Sequence, residues 1–245
     1  MLFFILIAVW FMISFGQFSA QDIIQKTIEN AGGSKFEDAI IDFTFRGKQY
    51  RSERSNGLYR LERRIEKGDD LLHDVLTNNG LSRTVNNCHQ QVPDSLVARI
   101  SDGINSVHYF ANLPYGLNAA AVRKKMVGEV TIRGNLYYKM HITFDEEGGG
   151  TDFEDEFMYW IHKENYTVDY FAYKYAVNGG GIRFREAYNP RIIEGIRFVD
   201  YKNYKTDDIS TSLATLDTLF EKNRLQLLSV IALENIYVYM LENQL

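Results

Sequence analysis

Three arginines stand out for the chemistry they could do together. Arg183 and Arg185 sit two apart in Ile182-Arg183-Phe184-Arg185-Glu186, so on a strand both point to one face. Arg197 follows on the next hairpin, past Asn189-Pro190 and Glu194-Gly195. A guanidinium offers a planar fork of donors that matches a carboxylate or a phosphate. Converging arginines could therefore hold a ligand's head group. Tyr138, Trp160 and Tyr173, on neighbouring strands, are the aromatics that could hold its apolar tail. The competing use of the arginines is cross-strand pairing with Glu154, Glu156 or Glu186.

Other chemistries find less support. Asp145, Glu146, Glu147, Asp152, Glu154, Asp155 and Glu156 surround Gly148-Gly149-Gly150. Oxygen ligands suit Ca²⁺, but an EF-hand loop needs acids at alternate positions ahead of its glycine, and this run lacks that order. A solvated hairpin end accounts for it. His73, His89, His108, His141 and His162 show no zinc-site spacing. Cys88-His89 and His73-Asp74 could meet across strands, a thin basis for a metal. The single cysteine, Cys88, forms no internal disulfide and is expected as a buried free thiol. There is no Gly-x-Ser-x-Gly elbow, phosphate loop or dinucleotide fingerprint. No catalytic residue, no metal and no cofactor are assigned. A hydrolase is the least favoured reading and would draw on His141, His162 and the acidic hairpin.

The elements that must position these residues are mostly strands. From Phe144 to Lys205, short aromatic and β-branched runs are separated by turn signals at Lys163-Glu164-Asn165, Gly179-Gly180-Gly181, Asn189-Pro190 and Glu194-Gly195. That rhythm predicts an antiparallel meander. Ahead of it, Val122–Ile132 and Leu136–Phe144 form a hairpin around Gly134-Asn135. Further upstream come a strand over Ile40–Arg46, a hairpin around Asn56-Gly57, and another around Asn78-Asn79-Gly80. Two helices interrupt. Gln21–Ala31 places Ile23, Ile24, Thr27, Ile28 and Ala31 on one face and stops at Gly32-Gly33. Pro93–Phe110 repeats Leu96, Ile100, Ile104 and Val107 at helical spacing and is expected to lie across the sheet. Thr206–Thr218 reads as a loop, and Leu225–Val238 as a buried strand or strand pair.

Composition bounds the rest. The chain has 245 residues, 45% hydrophobic and 24% charged, enough apolar content for one large core and too little polarity for disorder. Sixteen Phe and sixteen Tyr favour a sheet with aromatic walls. A net charge of -5 gives no basic footprint for nucleic acid. Leu2–Phe15 is almost wholly apolar yet shorter than the roughly 20 residues that span a bilayer. With Gly16-Gln17-Phe18-Ser19-Ala20 after it, the run reads as an export signal over residues 1–20, ahead of one domain over 21–245. A retained N-terminal membrane anchor is the alternative, since no Lys or Arg precedes the run and Phe18 is large for its place. The protein is expected in the periplasm or outside the cell.

The stretch from Gly148 to Lys205, followed by Leu225-Gln226-Leu227-Leu228-Ser229-Val230-Ile231-Ala232-Leu233-Glu234-Asn235-Ile236, resembles a family of secreted bacterial proteins known only as a domain of unknown function; the resemblance covers most of the mature chain and is strongest from Tyr137 to Lys205. The layout is also similar to the periplasmic lipoprotein-carrier (LolA/LolB-like) fold, through the helix Asp22–Ala31, the strand run from Ile40 and the helix near Pro93–Phe110. That resemblance implies an α+β fold, mainly antiparallel: a curved open sheet or half-barrel, with an N-terminal helix and a helix covering the concave face. It implies an apolar cavity for a lipid or other hydrophobic small molecule. A non-catalytic cell-envelope domain with a protein partner is the second expectation.

Overall fold

A computed structural model describes residues 18–148, 153–175 and 180–241. The first helix, α1 (Ala20–Ala31), is capped by Ser19, whose side chain accepts from the Asp22 amide while the Asp22 carboxylate accepts from the Ser19 amide. Its buried residues are Ile23, Ile24, Thr27, Ile28 and Ala31, the face read from the spacing. Six strands follow: β1 (Ala39–Phe45), β2 (Lys48–Ser55), β3 (Leu58–Lys67), β4 (Asp70–Thr77), β5 (Gly80–Val85) and β6 (Cys88–His89). At the β2–β3 turn Asn56 and Gly57 both take positive φ, 50° and 79°, the hairpin geometry that Asn-Gly favours. Then come α2 (Asp94–Ala111), β7 (Val122–Ile132), β8 (Asn135–Phe144), β9 (Glu156–His162), β10 (Val168–Tyr175), β11 (Gly181–Ile193) and β12 (Ile196–Lys205). A short helix α3 (Leu216–Glu221) and strands β13 (Gln226–Ile231) and β14 (Glu234–Met240) complete the described chain.

The strands form two seven-stranded antiparallel sheets. One runs β14-β1-β2-β3-β4-β5-β6, the other β13-β12-β11-β10-β9-β8-β7. Ala232 and Leu233 carry the chain from the edge of the second sheet to the edge of the first. The result is an unclosed, curved α+β half-barrel with α1 and α2 on its concave face. Alternation sorts the core. Phe157, Tyr159 and Ile161 of β9 meet α1 and α2, whereas Met158 and Trp160 meet α3 on the opposite face. Helix α2 bridges the two sheets. Ile100 and Ile104 pack on Leu61 and Leu76, Val107 and Ala111 on the Phe43 and Tyr50 cluster, and Tyr109 and Phe110 on Phe157, Tyr159 and Phe171.

Three expectations are corrected. Thr206–Thr218 is not all loop: Leu213, Leu216 and Phe220, spaced by helical turns, are buried in a 3₁₀ turn and α3 that close the outer face. Leu225–Val238 does form two strands, but they are not buried. Each is a sheet edge, and Leu227, Leu228, Val230 and Tyr237 are exposed. Cys88 is exposed because β6 is an outermost strand. Gly149, Gly150 and Asp152 of the acidic hairpin, and Gly179, lie outside the described residues.

Candidate functional site

The period of two along β11 divides its chemistry. Ile182, Phe184 and Glu186 face α3; Glu186 is bonded there by Arg133 (2.7 Å) and by the Tyr204 hydroxyl (3.0 Å). Arg183 and Arg185 face the other way, beneath α2, and open onto a cleft of ≈ 580 Å³. The cleft lies where the two sheets meet. Its walls are Ser106, Val107, Phe110 and Ala111 of α2, Phe45 and Arg46 at the end of β1, Tyr173, Tyr201 and Asn203 from β10 and β12, and Leu228, Ser229, Ile231 and Leu233 from the β13 edge. Among the described residues no Asp or Glu lines it.

Arg185 is the deep group of this cleft, only 7% exposed. The Phe110 ring lies 4.1 Å from its guanidinium carbon, and the Phe171 and Tyr173 rings 5.2 Å away. Such rings attract a cation through their π faces. Nη2 donates to the Tyr173 hydroxyl at 2.9 Å. Nε is buried and donates to nothing among the described residues. Arg183 is half-buried; its Nη2 donates to the Tyr175 hydroxyl (2.7 Å) and Nη1 to the Ile182 carbonyl (2.9 Å). Arg46 is exposed at the mouth. Burial pushes the Tyr201 phenol up to about 12, against the pull of Arg185 and Arg197, so it stays a neutral donor. Asn203 donates through Nδ2 to Ser229 Oγ (3.2 Å) and leaves Oδ1 buried without a partner among the described residues.

Of the six residues singled out in the sequence, Arg183, Arg185 and Tyr173 come together in the cleft. Tyr138 shares their face but packs in the α1 core beside Tyr166. Trp160 is on the opposite face, fully buried, with its indole N–H donating to Asp217 of α3 at 3.0 Å. Arg197 sits 3.9 Å from the Asp169 carboxylate and does not line the cleft. The described ion pairs do not join the arginines to Glu154, Glu156 or Glu186: Glu156 pairs with His141 at 3.0 Å, and Glu186 with Arg133 and Lys202. Phe110, Val107 and Tyr201 went unassigned in the sequence. The only signal for the first two was the helical spacing that puts 107 and 110 near one face.

A second hollow of ≈ 430 Å³ is lined by Asp42, Arg51, Glu62, Arg64, Tyr237 and Tyr239 among others. Its charges pair among themselves: Arg51 with Asp42 at 3.2 Å, Arg64 with Glu62 at 3.2 Å. Among the described residues no group of three or more His, Cys, Asp or Glu could hold a metal ion. No helix there is long and apolar enough to cross a membrane.

A model of a family of unknown function, DUF6503, matches residues 1–234. The chain belongs to the DUF6503 family. No curated protein matches it. Among solved structures, a LolA-superfamily protein from Nitrosomonas europaea is similar over 94% of this chain and 96% of its own, with TM-score 0.50 and 11% identity. A DUF1329-family protein from Desulfovibrio piger covers 92% and 93%, with TM-score 0.46 and 12% identity. At these identities the first likeness speaks for the fold: this DUF6503 chain has a LolA-like half-barrel.

Proposed function

We propose that this protein is an exported, non-catalytic carrier or sensor that holds a lipid or other hydrophobic small molecule between α2 and the concave face of the half-barrel. The cleft carries the reading. It has ≈ 580 Å³ of space, apolar and aromatic walls and a few polar groups placed inside them, the make-up of a small-molecule site. The LolA-like fold adds an analogy, not a mechanism. Residues 1–20 act as the export signal and 21–245 as one domain. A cut after Ala20 would remove the Ser19 cap of α1, a loss of about 1 kcal/mol. A cut ahead of Ser19 keeps the cap, and the mass of the mature protein tells the two apart.

The test is native mass spectrometry, with organic extraction, on the full chain expressed in an export host. A co-purifying mass that extracts as a lipid supports the reading and names the ligand class. A protein that emerges bare, and that no lipid in a broad panel stabilises against heat, contradicts it. An envelope protein partner is the second reading, favoured by the exposed apolar residues Leu227, Val230, Tyr237 and Tyr239 on two edge strands. Capture of a defined partner that β13 or β14 substitutions release would support it.

A further inference from the structure

Granting that the cleft is a ligand site, its chemistry narrows the ligand. Arg185 is a buried cation with no ion pair among the described residues. An unpaired buried charge is costly, and the aromatic rings around it offset only part of that cost. The contrast within the molecule is informative: the hollow holding Arg51 and Arg64 neutralises them with Asp42 and Glu62. The cleft holds Arg46, Arg183 and Arg185 and, among the described residues, no acid. Charge complementarity asks for an anion from outside the chain.

We propose that the cleft takes a single-chain carboxylate amphiphile, of the long-chain fatty-acid class, with its carboxylate on Arg185 and its chain along Val107, Leu228, Ile231 and Leu233. Phe110 covers a face of the guanidinium at 4.1 Å, which leaves the in-plane edge for a ligand. On that edge Nε–H is unused. The Tyr173 hydroxyl accepts from Nη2 and so keeps its own proton to donate. These are two donors for one carboxylate. Arg183 adds charge and, with one N–H of Nη2 given to Tyr175 and one of Nη1 to the Ile182 carbonyl, keeps three further N–H groups. A carboxylate's two oxygens match the Nε–H and the Tyr173 hydroxyl one to one. Asn203 Oδ1 is an acceptor and adds nothing to the anion's hold. The volume suits one drug-sized molecule and not several acyl chains.

The test is calorimetric titration of the full chain with three probes that share one chain length: palmitate, hexadecanol and hexadecyl phosphate. Palmitate is expected to bind about tenfold or more tightly than hexadecanol. R185M abolishes that preference, and Y173F, which removes one hydroxyl and keeps the ring, reduces it. Should R185M fail to fold, Y173F alone carries the test. Equal affinity for palmitate and hexadecanol overturns the anionic-head inference while the hydrophobic-ligand reading stands. Hexadecyl phosphate binding tenfold above palmitate overturns the carboxylate assignment. Binding of none of the three overturns this inference and removes the reading beneath it for single-chain lipids.

Discussion

His108 shows what burial does to a titrating side chain. It is fully buried on α2, with its ring edge-on to Phe43 and Tyr50 at 5.6 Å and Nε2 3.2 Å from the Glu62 carbonyl, which makes Nε2 the protonated nitrogen. Burial pushes its pKa from 6.5 down to about 3, and the backbone hydrogen bond only partly resists. The unfolded chain therefore takes up a proton below pH 6.5 that the folded protein refuses until about pH 3. Stability falls with pH across that window, by about 1.4 kcal/mol per unit once well below the upper limit. Urea midpoints measured from neutral pH downward should show this slope, and H108Q should flatten it. A slope unchanged in H108Q would assign the acid sensitivity to other groups. Asp74 acts further into acid. Burial alone would raise it, but hydrogen bonds from Arg83 and Arg63 outweigh that and hold it below its ordinary value of 3.8. Its contribution is present above that value and is lost as pH falls through the lower, folded one.

Among the elements, α3 is short and depends on side-chain anchors. Asp217, 2% exposed, receives the Trp160 indole N–H at 3.0 Å and an ion pair from Lys139. D217A would leave the indole without its acceptor and Lys139 without its counter-ion, the Ala214 carbonyl still accepting from the ammonium at 2.8 Å, and should cost about 3 kcal/mol in urea unfolding. Removing both charges, as D217L with K139M, should cost less than D217A alone, and the reverse order would contradict this role for the anchor. Nothing in the sequence announced the contact. Leu213, Leu216 and Phe220 do recur at helical spacing, but the mostly polar residues 206–212 ahead of them and the six-residue length of α3 make the stretch read as loop until a sheet face lies beneath it. The α1 face and the meander were legible because each writes its period into consecutive residues. The register between strands is not written that way. Trp160 pairs with Lys139 and Ile161 with Tyr138, so Trp160 and Tyr138 occupy opposite faces. For the same reason Arg183 and Arg185 could be placed together from β11 alone, while Phe110 and Tyr201 joined them only through tertiary packing. The apolar content of β13 suggested burial, yet the strand is an edge and covers the joint between sheets with one face only.

The whole molecule is two sheets joined at β13 and β14, with α2 laid across the joint and a cleft left beneath it. On the proposed function, this space is for a ligand. Ser106 of α2 lines the cleft, is half-buried, and shows no side-chain hydrogen bond among the described residues, so S106W should fill the space at little cost to the fold. A ligand that binds only the folded state adds about 2.7 kcal/mol at a hundredfold excess over its Kd. For a chain of this size that corresponds to a rise in Tm of roughly 5–10 °C. The deciding measurement is the thermal unfolding of wild type and S106W against increasing lipid, with palmitate first in the series. The expected result is a dose-dependent rise in wild type that S106W loses while keeping a wild-type melting temperature without lipid. Equal rises in both proteins, or no rise in wild type with any lipid, would contradict a ligand site in the cleft.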